Sequence, residues 1–338
     1  MTDVDRRSVA SADGTQDVEC PVVIATRTTA AAACSTGLAR SRAAVGRCLL
    51  SAVLVAGLAA PSLGTAQEAH EGKSADEIAK ELANPNSSLA SLKFRNQYRL
   101  YTGDLPKADS QGAYTMVFQP VFPFPMGTTA SGGKANFYVR PAIPLVVSQP
   151  VPTPSASGID YPKTTALADI GFDVAYGVSE KSGLLWALGM TGTLPTATSS
   201  DVAGKQLRLG PEVLFAKSEK WGLWGVFPSH QWNVAGWGAN RSYSTTTVQP
   251  ILAFLPGGGW KIASEPIMQY DWKTSKWTAP VQLLVGKTVK IGDVPVNFEF
   301  EANYYVSQPD AFGPKWMFAL NITPVVPNFI NNWIRGNK

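Results

Sequence analysis

Between Val294 and Val306 the chain alternates strictly: Val294, Val296, Phe298, Phe300, Ala302, Tyr304 and Val306 share one parity, and Asn297, Glu299, Glu301 and Asn303 share the other. Successive residues of a strand face opposite sides, so this stretch predicts a ribbon with one apolar face and one wet, charged face. Similar segments recur from Leu92 onward, at 92–101, 114–122, 135–146, 167–177, 183–194, 205–216, 222–234, 244–255, 260–272, 277–287, 294–306 and 315–324. Each is close to the roughly 9 to 11 residues of a tilted membrane-spanning strand. In the sixth, Leu207, Leu209, Val213 and Phe215 oppose Gln206, Arg208 and Glu212. In the ninth, Ile262, Met268, Tyr270 and Trp272 oppose Lys261, Glu265, Gln269 and Asp271.

Connection lengths and aromatic positions turn a set of ribbons into an architecture. The connections after strands four, six, eight and ten are short, as in Ser179–Ser182 and Pro256–Gly259, while several odd ones are longer and rich in Pro, Ser, Thr and Gly, the longest running from Ser148 to Ala166. Bacterial outer-membrane barrels show this parity, with short periplasmic turns and longer external loops. It predicts both termini in the periplasm. The stretch from Pro123 to Lys134, after strand two, breaks the rule as read from sequence. Tyr176, Phe254 and Trp260 flank the short turns and Tyr114, Trp272, Trp277 and Trp316 the long loops, where amphipathic rings settle at headgroup depth. The fold class expected is all-β: a transmembrane up-and-down antiparallel β-barrel of about 12 strands, with a short N-terminal helix. An aromatic-rich soluble sandwich would need neither two aromatic belts nor alternating loop lengths.

Composition agrees with burial in lipid. Charged residues are 16% of the 338, against roughly 25% in soluble domains, while 45% are hydrophobic. The apolar run 48–60 is shorter than the roughly 20 residues of a membrane helix and follows Arg40, Arg42 and Arg47; with Gly64-Thr65-Ala66 behind it, it predicts a signal peptide cleaved after Ala66. Cys20, Cys34 and Cys48 all precede that point, so no disulfide or thiolate metal site is expected beyond it. Ser74-Ala75-Asp76-Glu77 has the form of a capping box, and Ile78 and Leu82 share one face of the helix it would start. The expected organisation is an N-terminal extension and signal peptide (1–66), a periplasmic segment with a short helix (67–91), the barrel (92–325) and a C-terminal tail (326–338).

Several motifs carry a family resemblance. Ala75–Leu82, Tyr101-Thr102-Gly103-Asp104-Leu105-Pro106, Leu194-Pro195-Thr196-Ala197-Thr198, Ser229–Gly236, Pro309–Pro314 and Ile322–Pro327 together resemble the bacterial outer-membrane proteins often labelled neuromedin U, a misnomer borrowed from an animal peptide. That family is similar to the barrels associated with phenol meta-cleavage pathways, to which a transport role is ascribed. The resemblance spans 74–328. It implies a transport barrel, names no substrate and brings no catalytic residues; the reading of the chain as a whole is a passive channel for small molecules, apolar or aromatic ones among them.

Charges facing lipid cost roughly 2 to 4 kcal/mol at midplane for Lys or Arg, so the charged parity predicts a lumen. Its lumen-facing candidates are Lys93, Arg95, Arg99, Arg140, Asp169, Asp173, Arg208, Glu212, His230, Lys261, Glu265, Asp271, Glu299 and Glu301. They would form either a selectivity field or a salt-bridge network filling a narrow barrel. Lys93, Arg95 and Arg99 on the first strand and Glu299 and Glu301 on the eleventh would meet across Ala319, Asn321 and Thr323 of the twelfth. His230 has Ser229 beside it, but neighbours in a strand point apart, which counts against that pair as a hydrolytic dyad; a Ser on an adjacent strand leaves a lipid-hydrolysing enzyme as the alternative, and a structural barrel without flux as a third reading. No metal cluster, cofactor or enzyme activity is expected. The net charge of +4 gives no reason to invoke nucleic acid. The partners expected are outer-membrane lipid and a small solute, with the barrel as a monomer.

Overall fold

The computed structural model describes residues 73–236 and 242–334; the signal peptide expected at 48–66 lies outside them. Twelve antiparallel strands close into a barrel. They are β1 (Ser91–Thr102), β2 (Gly112–Thr128), β3 (Lys134–Pro150), β4 (Lys163–Leu167 and Ile170–Ser179), β5 (Leu184–Leu194), β6 (Gln206–Ser218), β7 (Gly222–Gly236), β8 (Ser244–Gly257), β9 (Trp260–Ser264 and Met268–Asp271), β10 (Lys276–Ile291), β11 (Val294–Ser307) and β12 (Gly313–Pro324). The sheet has 14 hydrogen-bonded segments because β4 and β9 are each interrupted once. Closure is made by β1 against β12, from Phe94 opposite Ile322 to Thr102 opposite Gly313. Every edge is thereby paired, as a bilayer without water requires.

The even connections are 129–133, 180–183, 219–221, 258–259 and 292–293, so all the turns at one end of the barrel are short. The one that broke the rule on sequence does not break it here. β2 runs on through Pro123 and Pro125 to Thr128, pairing Phe124 with Phe137 and Thr128 with Lys134. The odd connections gather at the other end, where 151–162 carries a small hairpin, Thr153–Ser155 with Gly158–Asp160. Two patches of the wall lose their ladder bonds. Pairing lapses between Phe118–Ile143 and Phe122–Val139, where the register sets Pro120 against Pro141, and β9 breaks where Pro266 faces Pro250 of β8. Proline has no N–H to give, so each break has a chemical cause.

The outer parity is apolar: Phe300, Leu188, Val281, Leu283, Val306 and Leu252 are exposed around the wall, with Tyr176, Phe254 and Trp260 near the short-turn end and Trp272, Trp277 and Trp316 near the long-loop end. The inner parity carries the charged and polar residues together with a buried apolar cluster that includes Leu185, Leu214, Leu223, Ile251 and Leu284, and the apolar outer band is the arrangement of a barrel that spans a membrane.

The N-terminal segment enters this cylinder. Helix α1 (Ala75–Ala83) starts with the capping box read from sequence: Ser74 N–H donates to Glu77 at 2.7 Å and Glu77 N–H to Ser74 Oγ at 3.2 Å. Ile78 and Leu82 pack with Leu89 and with Val325 just beyond β12, and Gly259 N–H in the β8–β9 turn donates to Asp76. Past the helix, Asn84 bonds Ser179 Oγ, and Asn86 donates to the carbonyls of Val178 and Trp186 on β4 and β5. The segment therefore crosses the short-turn mouth from the β8–β10 side to the β4–β5 side before turning into β1. The tail holds a second short helix, α2 (Phe329–Ile334), whose Phe329 ring meets Phe122 of β2 edge-on at 5.6 Å, leaving Trp333 82% exposed outside the barrel.

Candidate functional site

The lumen is built from the inward parity of all twelve strands, and its charges gather in two pairing clusters. One lies at the closure. Lys93 on β1 reaches Glu299 on β11 at 3.3 Å and Arg95 reaches Glu301 at 3.6 Å, while Asn321 of the intervening β12 donates to both carboxylates. On the far side Lys261 of β9 meets Glu299 at 3.2 Å and Glu265 at 2.9 Å. Long side chains span a two-strand gap of about 10 Å because β12 offers only Ala319, Asn321 and Thr323 inward. Arg99, one turn of the pleat further, donates to Gln97 at 2.6 Å. The second cluster sits across the barrel, where Arg140 on β3 pairs with Asp173 opposite it on β4 and stands 4.0 Å from Glu212 on β6. The Arg140 guanidinium also lies over the Phe227 ring at 5.5 Å.

Among the described residues, two cavities stand out between these walls. The deeper one, about 500 Å³, has the closure cluster, Arg140 and Asp173 on its sides, an apolar patch of Phe227, Ile251, Leu284 and Met317, and a floor made by Leu82–Pro85, Ser87 and Leu89 of the crossing segment. Asn303 lines it too, and its buried Nδ2 has no hydrogen-bond partner among the described residues. The second, about 270 Å³, lies toward the long loops and is lined by Thr193, Gln231, Thr245, Thr247 and Thr274 with Asp169, Arg208, Asp271 and Lys276. Gln269 and Thr278 border both, so the cavities are stacked along one path. Asp169 is also a strut: it accepts from Ala197 N–H at 2.9 Å and Gly204 N–H at 2.7 Å, which holds the β5–β6 loop over the mouth. Arg208 stacks on Tyr243 at 3.8 Å.

His230 corrects the expectation of a lumen residue. It shares its parity on β7 with Trp224, Val226, Trp232 and Val234, all exposed, whereas Ser229 and Gln231 point inward. The imidazole lies on the outer wall, tilted against Trp232 at 4.2 Å. The strand offered no contrast there: Ser-His-Gln-Trp alternates one polar pair with another of mixed character, and only the flanking Trp224 and Val226 fix the phase.

The motifs that stand out along the sequence meet one another in space. Tyr101–Pro106 docks on Pro309–Pro314, with Asp104 N–H donating to Asp310 O and Leu105 N–H to Ala311 O, and the Tyr101 and Phe312 rings stacked at 4.3 Å. Ala75–Leu82 docks on Ile322–Pro327 through Ile78, Leu82 and Val325.

No protein-family model matches the chain and no curated protein matches it. Among solved structures it is similar to an outer membrane channel from Pseudomonas putida F1, at 10% identity with a TM-score of 0.51 over 70% of this chain and 96% of that one. The NanC porin (12% identity, TM-score 0.42, 69% of this chain and 98% of that one) and outer membrane phospholipase A from Escherichia coli (13%, 0.36, 74% and 99%) are more distant likenesses. At that level the first match speaks for the fold: a closed barrel of the outer-membrane type.

Proposed function

We propose that this protein is a passive outer-membrane channel for small molecules, held shut at its periplasmic mouth by its own N-terminal segment. The supporting observation is the pair of stacked cavities that run down the barrel and end on Leu82–Leu89. Loop lengths support an orientation with the short-turn end in the periplasm and the long loops outside. The deeper cavity combines a charged wall with the apolar patch around Phe227. That lining fits a solute with an apolar or aromatic body and one polar or charged group better than a bare hydrocarbon. Charges that already pair with each other can hand a contact to a passing solute without leaving a buried ion alone.

Planar-bilayer recording tests this on the full protein and on a variant lacking 73–86. The variant is expected to show larger and longer openings than the parent, and benzoate is expected to interrupt its current. Folded protein of both kinds that passes no ions would overturn the reading. A tag at 156–157 is expected to be reachable on intact cells and one at 219–221 to be hidden; the reverse would invert the orientation.

A further inference from the structure

The outward rows of β7 and β8 are apolar along most of their length: Trp224, Val226, Pro228, Trp232 and Val234 on one, Val248, Pro250, Leu252 and Phe254 on the other. One patch breaks the pattern. His230 lies opposite Thr246, and Trp232 opposite Ser244. The imidazole Nδ1 is 2.7 Å from Thr246 Oγ1 and its Nε2 is 3.3 Å from Ser244 Oγ. Thr246 Oγ1 also accepts from the Trp272 indole N–H at 2.8 Å, and Trp272 N–H donates to the Ser244 carbonyl at 3.0 Å. A hydroxyl oxygen has two acceptor lone pairs, so Thr246 has room to accept from His230 as well as from Trp272. In the Nδ1–H tautomer that this arrangement favours, the Nε2 lone pair turns toward Ser244. That is the relation of nucleophile, base and orienting group in acyl-transfer enzymes, whose contacts are often looser before substrate binds.

Depth supplies the substrate. Trp272 and Trp277 mark the aromatic belt at the long-loop end, with Tyr270 packed between them at 4.9 and 5.1 Å. Belt rings sit at headgroup level, where the acyl esters of membrane lipids lie and water is available. We propose that Ser244, His230 and Thr246 form an outward-facing site that hydrolyses fatty-acyl esters of membrane lipids. Ser244 Oγ attacks the ester carbonyl carbon as His230 Nε2 takes its proton. The carbonyl carbon–alkoxy oxygen bond breaks, and the lyso-lipid alcohol leaves with that proton. Water, activated by the same nitrogen, then cleaves the acyl-serine and frees the fatty acid. Thr246 is a positioning residue, fixing the tautomer through Nδ1.

The folded full chain is treated with a fluorophosphonate and mapped by peptide mass spectrometry. It is then assayed for free fatty acid in phosphatidylethanolamine vesicles and, separately, in vesicles carrying lipid A, which tells the two ester sources apart. The expected result is an adduct on Ser244 and acid released from one of the lipids, both lowered about 10³-fold by His230→Asn. Ser244→Ala, the change least able to disturb folding, is expected to abolish release and leave ion conductance intact. Thr246→Val is expected to lower release and alter its pH profile, with Thr246→Ser restoring both. No adduct on Ser244 and no acid from either lipid, or labelling at Ser244 unchanged in His230→Asn, would overturn the proposal.

Discussion

Glu299→Gln keeps the shape of the side chain and removes a charge on which three neighbours converge. Lys261 and Lys93 stand 3.2 and 3.3 Å from its oxygens and Asn321 donates from 3.4 Å, with the carboxylate only 5% exposed. At an effective dielectric of about 20, a unit pair at about 3.3 Å is worth about 5 kcal/mol before solvation is counted. Burying each ion costs several kcal/mol, so the pair's own contribution is far smaller than that Coulomb figure. The cost of the substitution comes instead from cations left behind, about 3 to 5 kcal/mol when a buried partner is stranded. Here Lys261 keeps Glu265 at 2.9 Å and the Lys93 side chain is 30% exposed to the lumen, which argues for the lower end, about 3 kcal/mol. At about 2 to 4 °C per kcal/mol for a unit of this size, the folded band on semi-native gels should be lost about 6 to 12 °C earlier. In the same protein one negative charge has left the lumen, so the reversal potential under a salt gradient should shift toward anion preference. If neither the melting of the band nor the ion preference moves, these side chains are solvated independently in a wide lumen and the closure cluster holds nothing.

Two further outcomes follow from the ends of the barrel. Gly103 has φ +146 and a Cβ there would collide with the Ala311 carbonyl, so Gly103→Val should part the two docked loops at a cost of about 2 to 3 kcal/mol and speed proteolytic cutting within 104–111; unchanged cutting would show that the contact is not needed. At the other end, the Ser74 backbone N–H and then its hydroxyl hold the Glu77 carboxyl below its ordinary 4.5, so its support of α1 is complete above about pH 4.5 and lost as pH falls through the lower folded value. Channel current should therefore rise with acid below that pH, and Glu77→Gln, which keeps an acceptor for the Ser74 N–H, should flatten that part of the response; identical acid curves would mean the cap does not hold the segment.

The wall was legible because a strand's period of two cannot be disguised when one face is in lipid: in Val294–Val306 the inward Asn297, Glu299, Glu301 and Asn303 are all buried, while Phe300 and Val306 on the other row stand exposed. The inward charges were legible for the same reason, since Glu299 or Arg140 on the other face would be expelled from the bilayer. What failed was local contrast. Pro123 and Pro125 look like a loop, yet β2 carries them opposite Tyr138 and Asn136, with a register shift directly after Pro125, the kind of irregularity at which a strand accepts a residue without an N–H. His230 was misplaced because serine, glutamine and histidine say little about which face is wet. The helix at 75–83 was readable from its cap and its Ile78–Leu82 stripe, but a stripe says only that something covers it. That Val325, some 250 residues away along the chain, does so is a long-range fact that no window of sequence holds.

That last contact has a consequence for how the protein is made. Ile78 lies near the start of the described chain and Val325 directly after β12, the strand that must pair with β1 to finish the ring. Until β12 has zipped to β1, the part of the helix's docking surface that Val325 supplies is not in place. Docking of the helix is therefore tied to biogenesis: the act that completes the cylinder also completes the seat for the N-terminal segment, so on the channel reading proposed above an unfinished barrel is an open seam and a finished one carries its stopper from the first.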